Sequence, residues 1–247
     1  MDPSFMLATF LQLLGGIPLT LQLAVGSVSA GAVIALLLAL MMRSGASILV
    51  WPARGYVFFM RGTPLLVQIF LIYYGLAQFA VVRQSILWPI LREPYWCAIL
   101  ALALNTAAYG AEVIRGGLQA VPHGQIEAAR ACGMSGPLLF RRIILPIALR
   151  HALPVYGNEI ILMVKATSLA SIVTLAEVTG IAQRLIAETY RAIEIFICAG
   201  SIYLAINFLL TRAIALVEHR LSAHLRGASP ARDDRAIMQA AVDATHY

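Results

Sequence analysis

Charge is what this chain lacks. Only 12% of its 247 residues are charged, 60% are hydrophobic, and the mean hydropathy is +0.82. A water-soluble domain needs far more polar surface, so the composition specifies an integral membrane protein. Cysteine is scarce as well. Cys97, Cys132 and Cys198 lie far apart with no CxxC or zinc spacing, which argues against a disulfide framework or a metal site. No HExxH, GxSxG or P-loop occurs, so the chain is not expected to hydrolyse ATP or to be an enzyme of its own. His123 and His151 stand alone and read as surface histidines. A positive n-region is missing too: Asp2 is the only charge before Arg43. The first apolar stretch is therefore expected to stay in the membrane rather than be cleaved.

What is present is a series of apolar segments separated by short polar ones. No charged side chain occurs from Pro3 to Met42, a run of 40 residues, twice what one crossing needs at about 20 residues per helix. Gly15-Gly16-Ile17-Pro18 interrupts it. Residues 4–14 are read as a short interfacial helix and 18–42 as the first span. Further spans are expected at 57–81, 95–114, 152–175 and 195–217. The chain thus divides into an N-terminal segment (1–17), a transmembrane unit (18–218) holding a polar loop at 122–150, and a tail (219–247). The fold class is all-α integral membrane, with five transmembrane helices.

Five spans place the termini on opposite sides. The formal net charge of +6 invites a nucleic-acid reading, but the charges fall between and at the ends of the apolar segments. With the N-terminus outside, eleven arginines, from Arg43 to Arg235, fall on the inner side. Only Arg83, Arg92, Arg184 and Arg191 fall outside. The positive-inside rule then puts the N-terminus in the periplasm, and the polar loop and C-terminus in the cytoplasm.

The loop reads Glu127-Ala128-Ala129-Arg130-Ala131-Cys132-Gly133, then nine residues, then Ile143-Ile144-Leu145-Pro146. Its first part favours helix, and Gly133 supplies a left-handed stop. Ser135 is positioned to cap a second helix, with Pro137 in its first turn and Pro146 ending or kinking it. Two short helices joined at a glycine could insert into a partner's groove as a knob. Equally, Arg141 and Arg142 suit an amphipathic loop lying on anionic lipid.

Glu127-Ala128-Ala129, Gly133 and Ile143-x-Leu145-Pro146 match the EAA–G–IxLP signature of permease subunits of ATP-binding-cassette (ABC) importers. Other stretches resemble the polar amino-acid subfamily: Arg61-Gly62-Thr63-Pro64-Leu65-Leu66-Val67-Gln68, Asn105 to Glu112, Val121 to Gln125, and Asn158 to Leu169. Within it, the chain looks most similar to histidine/lysine/arginine/ornithine and opine permeases over residues 18 to 218. The resemblance implies a type I importer permease fold in the bacterial inner membrane. It implies that Glu127, Ala128, Ala129, Gly133, Ile143, Leu145 and Pro146 couple to a partner ATPase, which would bind ATP and Mg. It also implies a second, similar but non-identical permease subunit, two ATPase subunits and a periplasmic substrate-binding protein.

Polar residues inside spans usually face a bundle interior or water. Asn105, Tyr109 and Glu112 recur at i, i+4 and i+7, on one helix face. Asn158 and Lys165 share a face; Glu159 and Lys165, six apart, do not and should not pair along their helix. Thr167 and Ser171 share another face, with Ser168 nearby. These residues suit a polar path for a cationic amino acid or opine, or equally polar glue between helices. Arg61 reads as an anchor at the inner end of the second span. The function expected is ATP-driven import by alternating access. The alternative is a stand-alone secondary amino-acid transporter driven by an ion gradient, which would need intramembrane carboxylates or paired repeats.

Overall fold

The computed structural model describes residues 2–221, and these are helical with no strand. The part of the expected tail from 222 onward lies outside the described residues. Helices α1 (Pro3–Leu14) and α2 (Ile17–Arg43) run almost together, because Gly15 and Gly16 keep right-handed helical angles. The Gly-Gly-Ile-Pro break is thus a joint within one apolar run, Pro3–Arg43, of 41 residues. Helix α1 is also not isolated: it packs on the last helix, where Leu13 joins Val178, Ile195 and Ile202 in a buried cluster.

Helix α3 (Ser47–Gly62) begins ten residues before the expected second span and stops where that span should continue. The chain then turns by 108° into α4 (Leu65–Phe70), and a π-turn and a 3-10 turn carry it to Gln78. The cause is local. Pro64 disfavours the helical region for the residue before it, and Thr63 is extended at φ −112°, ψ 144°. Gln68, buried under the bend, repairs the lost ladder. Its Nε2 lies 2.8 Å from the Met60 carbonyl, 2.8 Å from Thr63 Oγ1 and 3.2 Å from the Thr63 carbonyl.

Helix α5 (Pro94–Gln119) is the central element and runs five residues beyond the expected third span. It packs most extensively on α2, and also on α3 and on helix α7 (Leu145–Ala166). Small residues make this closeness possible: Ala35 on α2 and Ala107, Ala108 and Ala111 on α5 are buried together. Helix α6 (His123–Ala131) follows α5 and carries the first half of the loop motif. Helix α7 starts seven residues earlier than the expected fourth span and passes into a 3-10 segment at Thr167–Val173. The chain bends by 47° there into α8 (Val178–Thr189), and α9 (Ala192–Leu221) completes the bundle. Among the described residues, three stretches are long and apolar enough to cross a bilayer alone, and up to five if each bent pair counts as one span.

The bend before α8 is pinned by a residue the sequence did not single out. Glu177 is fully buried, and its carboxylate accepts the Thr179 N–H at 2.9 Å, the Gly180 N–H at 2.8 Å and the Tyr203 hydroxyl at 2.7 Å. These bonds cap α8 and tie it to α9. Opposite the bend, Gly16 sits against the backbone of Glu177 and Val178. A Cβ there would approach the Val178 nitrogen to 2.5 Å. Gly16→Val should therefore wedge α2 away from the bend and cost roughly 1–3 kcal/mol as overpacking does. Gly55→Ala, with nothing within 4 Å of the added carbon, should leave stability unchanged or slightly raised. Thermal unfolding of the detergent-solubilised chain compares the two. A Gly16→Val melt equal to wild type would refute this close packing.

Candidate functional site

Two features concentrate chemistry: the loop and a polar cavity. In the loop, α6 ends in a Schellman turn. The Gly133 N–H donates to the Arg130 carbonyl at 2.9 Å and the Met134 N–H to the Ala129 carbonyl at 3.1 Å. Gly133 holds φ +76°, the left-handed conformation that costs a side-chain-bearing residue about 1–2 kcal/mol. Ser135 occupies the cap position of the next turn, Gly136–Leu139, but its hydroxyl makes no cap bond; its carbonyl accepts the Leu139 N–H at 2.8 Å. Pro137 lies in that first turn as expected.

Pro146 neither ends nor sharply kinks the second helix. The helix widens into a π-turn at Phe140–Ile144, where the Leu145 N–H donates to the Phe140 carbonyl, and continues directly as α7. Pro146 thus falls in the first turn of α7, where a missing N–H is tolerated. The second limb of the loop, from Gly136, is therefore continuous with α7. Glu127, Ala128 and Gly133 are exposed, Ala129 is buried, and Ile143 and Pro146 are half-buried. Leu138, Phe140 and Leu145 add exposed apolar surface. The result is a protruding knob with a carboxylate at its first helix and an apolar, basic second limb.

The polar cavity, about 460 Å³, lies among α3, α5 and α7. Arg61, Tyr109, Glu112, His151, Val155 and Glu159 line it, with Gly116 and Gly117 forming part of its floor. Gly117 lets α5 approach α7 closely; a Cβ there would come within 2.7 Å of the Ala148 carbonyl. The Arg61 guanidinium stacks over the Tyr109 ring at 5.2 Å. Arg61 ends α3 and points into this cavity; it does not anchor the start of a span. Glu112 pairs with Arg115 one turn on, with Arg115 Nε 3.1 and 3.2 Å from its two oxygens.

The sequence-selected polar residues thus separate. Tyr109, Glu112 and Glu159 meet in the cavity, together with Arg61 and His151, which sequence reasoning had given other roles. Asn105 shares their helix face but donates its amide to Gln68 Oε1 at 3.0 Å, so it braces the α3–α4 bend. Asn158 and Lys165 are exposed, and Lys165 forms no ion pair with Glu159. The hydroxyls of Thr167 and Ser168 bond the carbonyls of Val164 and Lys165, both at 2.7 Å, and Ser171 bonds that of Ser168 at 2.8 Å. They satisfy the 3-10 segment instead of lining the cavity. No group of His, Cys, Asp and Glu suited to a metal occurs among the described residues.

An all-helical membrane bundle with a protruding Glu-Ala-Ala/Gly/Ile-x-Leu-Pro loop defines a class of transport permeases. Residues 31–223 match the family described as "Binding-protein-dependent transport system inner membrane component", and the chain belongs to it. The octopine transport system permease protein OccM of Rhizobium meliloti is 63% identical over 220 residues, covering 89% of this chain and 90% of that one. The nopaline transport system permease protein NocM of Agrobacterium fabrum is 54% identical, covering 92% and 94%. Among solved structures, a crystal structure of an amino acid ABC transporter with histidines superposes with a TM-score of 0.80 at 36% identity, covering 89% of this chain and 99% of that one. The chain is a transport component, and the type I importer permease fold is the one observed.

Gln68→Leu keeps the side-chain volume while removing the bonds to Met60, Thr63 and Asn105. It should destabilise the fold by about 1–3 kcal/mol, the cost of stranding buried polar partners. The reading is the thermal melt; a variant as stable as wild type would show that the bend needs no such brace.

Proposed function

We infer that the chain is the membrane-spanning permease subunit of an ATP-driven importer, moving cationic amino acids or opines from periplasm to cytoplasm. The observation that carries this is the exposed loop, folded around Gly133 and continuous with α7. A knob fused to a cavity-lining helix can pass a push from a partner to the transport path. Closure of a partner ATPase dimer on ATP and Mg would move α6 and the following limb, and α7 with them. Because α7 supplies Glu159 and His151 to the polar cavity, that motion alters the cavity directly. Chemistry on the partner thereby drives alternating access here.

The substrate class follows from charge. Octopine and nopaline both carry an arginine-derived guanidinium. In the cavity, Glu112 is neutralised by Arg115, which leaves Glu159 to face a cationic group, while Arg61 can receive a carboxylate. One chain encloses the cavity incompletely, so a second permease subunit completes the path, with two ATPase subunits and a periplasmic binding protein. In this assembly the N-terminus lies in the periplasm and the loop in the cytoplasm, an orientation the arginine distribution supports. An ion-driven carrier would leave the loop without a task.

Gly133→Asp places a charged side chain in a left-handed turn and should abolish retention of the ATPase subunit when the tagged chain is purified from membranes. Full retention would remove the loop from the coupling role. Glu159→Gln should lower uptake of labelled arginine, competed by octopine, by roughly tenfold, the equivalent of about 1.4 kcal/mol. It should do so without loss of ATPase retention. Unchanged uptake by this variant would count against Glu159 as the cation's partner.

A further inference from the structure

We propose that a second, larger cavity at the loop-side ends of α2, α3 and α5 binds the phosphate headgroup of an anionic phospholipid. This cavity, about 850 Å³, is lined by Arg43, Arg54, Arg115, His123, Gln119 and Glu112. Three guanidiniums thus face one carboxylate, and Arg115 already holds that carboxylate. Arg43 and Arg54 form no ion pair with any described residue. Arg54 lies within electrostatic reach of Glu112, but three guanidiniums against one carboxylate leave an excess of positive charge among the described lining residues that favours an anion. The planar guanidinium fork matches phosphate oxygens in particular.

Position in the fold identifies the anion's source. Arg43 is the last residue of a 27-residue apolar helix, Arg54 lies two turns into α3, and Arg115 lies one turn before the end of α5. The cavity therefore sits where hydrocarbon gives way to water, the depth of lipid headgroups. Helix α3 also shows an apolar stripe: Ile48, Trp51 and Phe58 are 82%, 71% and 82% exposed, at i, i+3 and i+10. Arg54 borders that stripe on the helix surface. Acyl chains laid along it would leave the headgroup among the arginines, with Trp51 in its usual interfacial place. A free phosphate would use the cavity and ignore the stripe.

The site would bear on coupling, because His123 opens α6 and Ile126, also in the lining, directly precedes Glu127. That consequence rests on the import reading. Lipid binding itself is read without transport, so the two can fail separately.

The test titrates the full-length chain, purified in detergent, with phosphatidylglycerol or phosphatidylcholine, and counts bound lipid by native mass spectrometry. Phosphatidylglycerol should bind in preference. R43Q/R54Q should weaken it by roughly tenfold or more, as two lost attractions at a membrane surface require. R43K/R54K should keep most of the binding, which excludes unfolding as the cause, and R83Q/R92Q should leave it unchanged. Equal binding of the two lipids, or undiminished phosphatidylglycerol on R43Q/R54Q, would overturn the proposal. Displacement of the lipid by millimolar glycerol phosphate would also overturn it, by assigning the cavity to a soluble phosphate.

Discussion

Inside a bilayer no water is available to satisfy a backbone N–H or C=O, and this constraint governs the structure. Most of the chain meets it by staying helical. Wherever the helix breaks, a specific side chain or turn repairs the loss. At Thr63-Pro64 the repair is Gln68, which reaches back to the carbonyls of Met60 and Thr63. Before α8 it is Glu177, whose carboxylate takes the N–H groups of Thr179 and Gly180. Breaks of this kind are where a helical bundle can hold polar side chains at depth, and the polar cavity lies beside the first of them, at the end of α3.

The same accounting explains how the loop and the cavity are linked. Proline in mid-helix would normally remove a hydrogen bond and clash with the preceding turn. Here the π-turn at Phe140–Ile144 widens the helix just upstream of Pro146, and the helix continues unbroken in direction. The motif's final Ile-x-Leu-Pro is therefore the start of α7 rather than the end of a detached loop. A displacement of the second limb, from Gly136 onward, reaches His151 along one helical run, and Pro154 lies between there and Glu159. Linkage of this type needs no long pathway of side-chain rearrangements to convey a partner's motion.

Much of this was legible in the sequence, and the rest was hidden for identifiable reasons. Composition and the uncharged run from Pro3 to Met42 were enough to define a membrane bundle. Gly133 was readable because glycine past a helical stretch has one common use. The bend at Thr63-Pro64 was missed because hydropathy passes smoothly over an apolar segment containing one proline. The early start of α3 was missed because Trp51-Pro52-Ala53-Arg54 looks like loop. Helical spacing correctly grouped Asn105, Tyr109 and Glu112 on one face. It could not show that Gln68, distant in sequence, claims Asn105 while Tyr109 and Glu112 meet Arg61 and Glu159. Lys165 and Ser168 drew notice as polar residues in an apolar span, but Lys165 is exposed and the Ser168 hydroxyl bonds the Lys165 carbonyl. Glu177 carried no motif, and its role depends on the bend it stabilises.

The central claim is that the protruding loop seats in an ATPase subunit. Cys132 tests it directly, since it is exposed beside Gly133 while Cys97 and Cys198 are buried. Maleimide labelling of Cys132 would be measured in inside-out membrane vesicles containing this chain with and without its ATPase partner. The account predicts rapid labelling of the chain alone and strong protection when the ATPase is present. Equal labelling in both preparations would contradict the coupling role of the loop.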